Sequence, residues 1–272
     1  MKNIVVTGAT SGIGLAVVKQ LIKKNENVIA IGINQEECDS TYQGLGKPEN
    51  VMYIPIDLSS NKEIKKQALK ISEHFDNYID VLINCAGIVP KWYQTNEQGY
   101  EMQLQVNHLA VFNLSMCLLD SILNAKGLIF TTSSRVHRHN TIDFNDLNQR
   151  KKYFLLTQYQ KTKLCNVLFT HEFNRRYMKK GVIAYAMDPG LVNTTIGARN
   201  SAGLAKLVWN IRRRFGQDPI EVANFFLGVL YSDRNLTPPY YYKYGKQLEP
   251  SDYSTQEDVA KKLWEVSELY VK

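Results

Sequence analysis

The sequence has few cysteines, and none is arranged in a way typical of a disulfide framework or a zinc site. Its 272 residues include four cysteines, with no C-x-x-C pair and no histidine nearby at a ligand-like spacing. A cleavable apolar leader is also missing, because Met1 and Lys2 lead directly into Ile4-Val5-Val6 and a glycine loop. These absences predict reduced thiols, no bound metal and a cytoplasmic protein.

Long apolar runs are absent as well. No stretch approaches the roughly 20 apolar residues that span a bilayer, and the mean hydropathy is −0.29. Neither an internal repeat nor a low-complexity linker divides the sequence. We therefore expect one domain over residues 1–272, without an integral membrane segment.

Acidic residues are outnumbered, with 26 Asp and Glu against 33 Lys and Arg and a formal net charge of +7. An excess of positive charge can indicate a polyanionic partner. Most basic residues, however, are dispersed over segments such as Lys62 to Lys70, which fit solvated helix faces. Only Arg212-Arg213-Arg214 is a compact cluster. The pattern predicts no nucleic-acid partner.

Apolar runs alternate with helical patterns along the chain. The β-rich runs are Asn3 to Thr7, Val28 to Ile31, Val51 to Ile56, Val81 to Asn84, Gly127 to Thr132 and Val182 to Met187. The main helical stretches are Gly14 to Asn25, Lys62 to Phe75, Tyr100 to Leu123 and Gln158 to Lys180. Because parallel strands need crossover connections, this alternation predicts an α/β protein with a doubly wound parallel sheet.

A glycine-rich loop follows the first strand, at Thr7-Gly8-Ala9-Thr10-Ser11-Gly12-Ile13-Gly14, directly before an amphipathic helix. Glycines at this place let the backbone approach a pyrophosphate, and the helix amino terminus attracts the phosphate charge. An ordinary glycine-rich turn is the alternative. The spacing of Gly8, Gly12 and Gly14 is wider than the G-x-G-x-x-G fingerprint.

Two Y-x-x-x-K pairs occur among the 16 tyrosines, Tyr159 with Lys163 and Tyr242 with Lys246. Residues four apart share a face only on a helix. The first pair begins a helical pattern, whereas the second lies in the Pro-, Tyr- and Gly-rich segment 237–245. We therefore assign Tyr159 and Lys163 to chemistry and interpret Tyr242 as structural.

Six ordered motifs make the chain resemble the short-chain dehydrogenase/reductase family, and within it the retinol dehydrogenase-like branch. They are the T-G-x-x-x-G-x-G loop at 7–14, Asn84-Cys85-Ala86-Gly87, Val106-Asn107-His108-Leu109, Ser133-Ser134, Tyr159 with Lys163, and Pro189-Gly190. Cys85 stands where the family has a second Asn. The long segment from Ser134 to Tyr159 favours the branch. The resemblance implies a Rossmann-type sheet of about seven strands with helices on both faces.

The resemblance also implies an oxidoreductase that interconverts an aldehyde or ketone with an alcohol, using NADP(H) or NAD(H). Tyr159 would be the acid/base, because reduction leaves negative charge on oxygen that must receive a proton. Lys163 would hold the nicotinamide ribose, and its ammonium, with the oxidised nicotinamide, would lower the tyrosine pKa. Ser134 would hydrogen-bond the substrate oxygen, with Ser133 as the alternative. Asn107 would help to position a water in the proton relay.

The residues that would hold the dinucleotide follow the strands of the sheet. They are Gly8, Thr10, Ser11, Gly12, Ile13, Gly14, Ile33, Asn34, Asp57, Leu58, Asn84, Ala86, Gly87, Tyr159, Lys163, Pro189, Gly190, Val192 and Thr194. Asp57 matches the family position beside the adenine. A solvated loop acid is its alternative interpretation.

The choice between the two dinucleotides depends on the residues after the second strand. Neither an Asp, which favours NAD, nor an Arg, which favours NADP, is present, and Ile33 stands where much of the branch has Arg. Glu36 and Glu37 oppose a phosphate, whereas Asn34 and Ser11 could donate hydrogen bonds to one. The balance favours NADP(H) slightly over NAD(H).

Residues 191–216 are predicted to form the variable substrate lid of this family. Within 202–215, Leu204, Leu207, Val208, Ile211 and Phe215 share one helical face. Such a face fits a cover over a lipophilic substrate or a helix on an anionic membrane. The branch often acts on lipophilic substrates, and the amino-terminal anchor of some relatives is not expected here. Monomers, homodimers and homotetramers all occur in the family, so the oligomeric state stays open.

Two other classes of function compete with the carbonyl/alcohol enzyme. One is a non-catalytic nucleotide-binding sensor or interaction protein, which the complete Asn, Ser, Tyr and Lys set argues against. The other is a sugar-nucleotide epimerase or dehydratase, for which the segment after Pro189 offers little room. A metal site built from His108, His137 and His139 is discounted, because no further ligand has convincing spacing and the hydride chemistry needs no Lewis acid.

Overall fold

The computed structural model describes residues 1–193, 216–233 and 237–272. This part of the chain contains one eight-stranded sheet. Its strands are β1 (Asn3–Thr7), β2 (Asn27–Gly32), β3 (Val51–Pro55), β4 (Val81–Asn84), β5 (Leu128–Thr132), β6 (Ile183–Asp188), β7 (Tyr241–Lys243) and β8 (Lys246–Gln247). The strand order is β3-β2-β1-β4-β5-β6-β7-β8; β1 to β7 are parallel, and β8 pairs antiparallel to β7.

Helices cover both faces of this sheet. They are α1 (Gly12–Lys23), α2 (Gln35–Gly44), α3 (Asn61–His74), α4 (Met102–Leu104), α5 (Ala110–Cys117), α6 (Leu119–Asn124), α7 (Leu155–Tyr177), α8 (Pro219–Tyr231) and α9 (Glu257–Val271). A π-helical turn spans Gln105–Leu109, and 3₁₀ turns span Arg135–His139, Met178–Lys180 and Asp252–Thr255. One core cluster joins the sheet to α3, α5, α7 and α9, and a second joins it to α1 and α8. The central strands are apolar along their length because both faces are buried.

The doubly wound α/β fold is confirmed, and the six predicted strands are present within one residue at each end. The sheet has one strand more than the expected seven, because 237–247 adds both β7 and β8. Tyr244 and Gly245 have φ values of 51° and 72° and form the tight turn between them. Tyr242 and Lys246 therefore lie on the two strands of a hairpin and do not share a helix face. This agrees with the interpretation of Tyr242 as a structural residue.

The helical stretch predicted from Tyr100 to Leu123 is divided among α4, the π-helical turn, α5 and α6. At the π-helical turn, the N–H of Ala110 donates to the carbonyl of Gln105, five residues back. The wider turn changes the backbone hydrogen bonds next to Asn107. Such insertions often lie at functional sites.

The predicted substrate lid, including its apolar face at 202–215, lies mostly outside the described residues. Within the described ranges, no helix is long and apolar enough to cross a membrane. No cluster of three potential metal-binding side chains forms there either. His137 instead donates through Nδ1 to the Ser134 carbonyl at 2.8 Å and accepts at Nε2 from the Ser251 N–H at 3.1 Å.

Candidate active site

The carboxyl ends of the central strands meet at one edge of the sheet. The register aligns Thr7 of β1 with Asn84 of β4, and Asn84 with Thr131 of β5. Thr132 then lies opposite Met187 of β6. Because the strand order reverses between β1 and β4, a crevice forms at this edge, where open α/β sheets bind ligands.

The glycine loop brings its backbone close to the segment after β4. Gly8 has a φ of +66°, and a Cβ built on it would lie 2.8 Å from the Cα of Ala86. The N–H of Ala86 also donates to the Thr7 hydroxyl at 3.0 Å. A side chain at Gly8 would therefore fill the narrow space between the two segments.

The first turn of α1 packs directly on the same loop. A Cβ on Gly14 would lie 2.3 Å from the Gly8 carbonyl oxygen, so only glycine fits there. Ser11 is the N-cap residue, and its side chain makes no capping hydrogen bond. The first N–H groups of the helix thus keep their capacity to bind an anion.

Asn84 provides an unusual buried polar atom at the end of β4. The residue is 2% exposed, and its Nδ2 has no hydrogen-bond partner in the part of the chain that the structure describes. Its backbone carbonyl accepts from the Thr132 hydroxyl at 2.6 Å. Because a buried donor without a partner is costly, this amide suggests a ligand contact at the crevice.

Tyr159 and Lys163 lie one turn apart near the start of α7. The ammonium nitrogen of Lys163 is 5.5 Å from the centroid of the Tyr159 ring. It also donates to the Thr132 carbonyl at 3.1 Å, and the lysine is 3% exposed. These contacts place the pair on the face of α7 that covers the carboxyl end of β5.

The two serines after β5 have different surroundings. The Ser133 hydroxyl is buried and donates to the Lys163 carbonyl at 3.0 Å. Ser134 is partly exposed and is the N-cap residue of the 3₁₀ turn Arg135–His139. Its side chain makes no capping hydrogen bond. Its hydroxyl is the better placed of the two to meet a substrate oxygen.

Asn107 lies in the π-helical turn and is fully buried. Its Oδ1 accepts from the Ile88 N–H at 2.7 Å, and its Nδ2 donates to the Ile88 carbonyl at 2.9 Å. The side chain thus ties the turn to the loop after β4. Its backbone carbonyl is bonded separately, by the Asn166 amide at 2.9 Å.

Asp188, a site residue that the sequence analysis missed, ends β6 and is 3% exposed. It accepts from the Gly190 N–H at 2.8 Å and from the Tyr241 hydroxyl at 2.8 Å. Burial and then the Asp188 charge raise the pKa of Tyr159 to about 12. The protein groups alone therefore raise the pKa of Tyr159, whereas the sequence analysis expected Lys163 to lower it. The signal in the sequence was an acid directly before Pro189-Gly190.

Burial also acts on the lysine of the pair. It lowers the pKa of Lys163 to about 8, against the opposing influence of Cys85 and Asp188. Most Lys163 side chains are therefore protonated at pH 7, and the protonated fraction falls as the pH rises through 8. A protonated phenol and a charged ammonium thus coexist near neutral pH.

The region after β2 contains a carboxylate that contacts the glycine loop. The Thr10 hydroxyl donates to Glu37 Oε2 at 3.0 Å. Asn34 caps α2, with its Oδ1 accepting from the Glu37 N–H at 2.8 Å, and Ile33 is 59% exposed. Glu37, which the sequence analysis named with Glu36 as an acid that opposes a phosphate, therefore contacts the glycine loop directly.

The remaining predicted cofactor residues follow β3 and β6. Asp57 accepts from the Ser59 N–H at 2.8 Å, which forms a local turn. The Leu58 carbonyl accepts from Gln105 at 3.1 Å. Pro189 and Gly190 follow Asp188 at the crevice edge, and Val192 forms an isolated bridge with Gln217. Thr194 lies outside the described residues.

Comparisons with known proteins agree with this arrangement. Residues 2–205 match the family model described as short chain dehydrogenase. Retinol dehydrogenase 13 of Homo sapiens is 34% identical, over 97% of this chain and 82% of that protein. Retinol dehydrogenase 14 of Mus musculus is 31% identical, over 99% and 86%. An NADPH-bound carbonyl reductase from chicken fatty liver shares the fold, with a TM-score of 0.69 at 20% identity over 92% of this chain and 99% of that one.

Proposed function

This chain belongs to the short-chain dehydrogenase family, in its retinol dehydrogenase-like branch, and we propose that it interconverts an aldehyde or ketone with an alcohol. The observation that carries the proposal is the pairing of Tyr159 and Lys163 over the end of β5. A phenol and an ammonium at this distance supply the proton and the positive charge that a developing alkoxide needs.

The crevice fits a nicotinamide dinucleotide. Gly8 and Gly14 leave room where any Cβ would clash with backbone, and the uncapped first turn of α1 suits a pyrophosphate. The buried Asn84 amide offers a further donor. When bound, the nicotinamide supplies hydride to the carbonyl carbon or accepts it from the alcohol.

The protein residues would then manage the oxygen atom of the substrate. The Tyr159 hydroxyl would donate its proton to the carbonyl oxygen as negative charge develops, and the Ser134 hydroxyl would donate a hydrogen bond to the same atom. The Lys163 ammonium would stabilise the resulting phenolate. Because burial and Asp188 keep the phenol protonated at neutral pH, the protein alone favours the proton-donating role.

A lipophilic substrate is supported by exposed aromatic residues on two segments, one that follows β4 and one that precedes α7. Trp92 follows β4 and is 64% exposed, and Phe154, five residues before Tyr159, is 59% exposed. The two segments touch, because the rings of Tyr93 and Tyr153 pack edge to face with centroids 5.1 Å apart. Exposed aromatic surface of this kind is typical of an apolar binding site.

A panel of straight-chain aldehydes and the matching methyl ketones tests the activity and the substrate class together. Burial of one methylene contributes about 0.8 kcal/mol, which corresponds to about fourfold in kcat/KM per added carbon until the site is filled. The measurement is the absorbance of reduced cofactor, with NADPH and NADH in separate series. Cofactor binding without consumption on any aldehyde or ketone would contradict the proposal and favour a non-catalytic sensor.

For the cofactor we propose NADP(H), with Glu37 as the residue that limits the preference. Glu37→Gln keeps an acceptor for the Thr10 hydroxyl but removes a negative charge near the expected 2′-phosphate. We expect the ratio of kcat/KM for NADPH over NADH to rise about tenfold, or about 1.4 kcal/mol. Glu49→Gln, at an exposed position just before β3 and therefore at the opposite end of the strands, is the matched control. Equal ratios in both variants and the unchanged protein would place the ribose elsewhere.

A further inference from the structure

A buried histidine next to Asn107 connects the candidate active site to the last helix. His108 is 1% exposed and uses both ring nitrogens. Its Nδ1 is 3.2 Å from Asn166 Oδ1, and its Nε2 is 3.0 Å from the Ser267 hydroxyl. Burial lowers the pKa of His108 to about 4, so the ring is neutral and carries one N–H at physiological pH.

The position of that N–H follows from the bonds of Asn166. The Asn166 Nδ2 donates to two backbone carbonyls, those of Asn107 at 2.9 Å and Thr132 at 3.0 Å. A flipped amide would point its oxygen at both carbonyl oxygens, which is unfavourable. Asn166 Oδ1 can therefore only accept, and His108 Nδ1 must donate to it. His108 Nε2 then accepts from the Ser267 hydroxyl.

This chain of hydrogen bonds ends at the proposed chemistry. The Thr132 carbonyl that Asn166 binds also accepts from the Lys163 ammonium at 3.1 Å. The Asn166 amide thus orients two backbone carbonyls, that of Thr132, which contacts Lys163, and that of Asn107. The four residues whose side chains form the chain, from Ser267 to Lys163, are at most 3% exposed, and an unpaired polar atom is costly at such depth.

The far end of the chain is held by the core. Ser267 lies on α9 one turn after Trp264, whose ring packs against Phe112 at 4.9 Å and Phe169 at 5.9 Å between centroids. These aromatic contacts fix α9 against α5 and α7. The Ser267 hydroxyl therefore faces His108 from a helix that the core holds against α5 and α7.

We propose that His108 and Ser267 are positioning residues for the carbonyl/alcohol reaction, and that they act through Asn166 on Lys163. The inference rests on the proposed function. Without the His108 N–H, Asn166 Oδ1 becomes a buried acceptor that has lost its donor, and the amide shifts from the position in which Nδ2 holds both backbone carbonyls. The Thr132 carbonyl then no longer fixes the ammonium beside Tyr159. Among the described residues, the titratable groups that face the ammonium are Cys85, Asp188 and Tyr159.

The kinetic test compares His108→Leu with His108→Asn. Leu removes the donor, and we expect kcat for carbonyl reduction to fall about tenfold, with KM values within about twofold. Because the pKa of Lys163 is about 8, we expect activity to fall as the ammonium loses its proton above that pH. In His108→Leu this fall should move to lower pH by about 0.5 to 1 unit, because the ammonium loses support. Asn restores a donor near the Nδ1 position, so His108→Asn should recover most of kcat and the original pH profile.

The distal residue has its own pair of variants. Ser267→Ala should reduce kcat by about two- to threefold and should move the pH profile of activity to lower pH, as in His108→Leu. Ser115→Ala is the matched control, because Ser115 is fully buried and its hydroxyl has no partner in the described residues. A folded His108→Leu enzyme with unchanged kcat and pH profile would overturn the proposal. A loss of kcat that His108→Asn does not rescue, with the profile unmoved, would show a merely structural role.

A spectroscopic readout separates this inference from the proposed function. Imidazole ¹⁵N shifts of the unchanged protein should show His108 as the Nδ1–H tautomer from pH 5.5 to 9, whether or not any substrate turns over. An Nε2–H tautomer would overturn the hydrogen-bonded chain even in an active enzyme. Absence of turnover with the expected tautomer would count against the proposed function alone.

Discussion

Tyr159→Phe is expected to lower kcat by about three orders of magnitude, because it removes the only group proposed to give a proton to the substrate oxygen. Phenylalanine keeps the ring that lies 5.5 Å from the Lys163 ammonium, so the packing of α7 should be preserved. The dinucleotide contacts proposed for the glycine loop and Asn84 do not involve the hydroxyl. We therefore expect the Kd for NADPH to stay within about threefold. Steady-state rates and a fluorescence titration with NADPH measure the two effects separately.

The second Y-x-x-x-K pair offers a matched control for this variant. Tyr242 has the same spacing to Lys246, but it is buried on β7 in a hairpin. Tyr242→Phe should retain kcat within about twofold. If Tyr159→Phe kept more than about a tenth of the original kcat, the proton would have to come from another group and the assignment would fail.

The fold was predictable because its strands are short apolar runs separated by helical patterns. Because both faces of the sheet are buried, β1 and β2 contain the unbroken apolar runs Ile4–Val6 and Val28–Ile31, which give a clear signal in the sequence. The hairpin of β7 and β8 was missed because its strands have only three and two residues. Such lengths leave no measurable alternation, and tertiary pairing with β6 decides the structure.

The candidate site was partly predictable for a different reason. Motif spacing predicted Tyr159, Lys163 and the glycine loop as candidates, because these positions depend on local geometry near the ends of strands and helices. The effect of Asp188 on the Tyr159 phenol depends on three-dimensional approach, and no motif in the sequence joins these two residues. The position of Glu37 after β2 indicated a charge that opposes a phosphate, but not its hydrogen bond with the Thr10 hydroxyl.

The ionisation of Tyr159 shows where reasoning from residue types was incomplete. A neighbouring ammonium favours the phenolate, but desolvation of a buried phenol opposes it, and burial is the larger influence here. The sequence indicates the charge of Lys163 but not the depth at which the pair lies. Only the packing of α7 against β5 establishes that depth.

Gly14→Ala is expected to weaken dinucleotide binding by about one to two orders of magnitude. The added Cβ would lie 2.3 Å from the Gly8 carbonyl oxygen and 2.8 Å from its carbonyl carbon, so backbone must move. Overpacking of this kind costs about 1 to 3 kcal/mol, and the relief available is to separate α1 from the loop. That movement would displace the N–H groups expected to bind the pyrophosphate.

Isothermal titration with NADPH measures this loss, and thermal unfolding measures how much stability falls with it. Gly228→Ala is the matched control, because Gly228 lies within α8 and an added methyl group would meet no atom within 4 Å beyond the backbone of its own helix. That substitution should leave the Kd unchanged and raise the free energy of unfolding by about 0.5 to 1 kcal/mol. A Gly14→Ala protein that loses stability but binds NADPH as tightly as before would show that the clash is absorbed elsewhere. The glycine loop would then not be the surface that holds the cofactor.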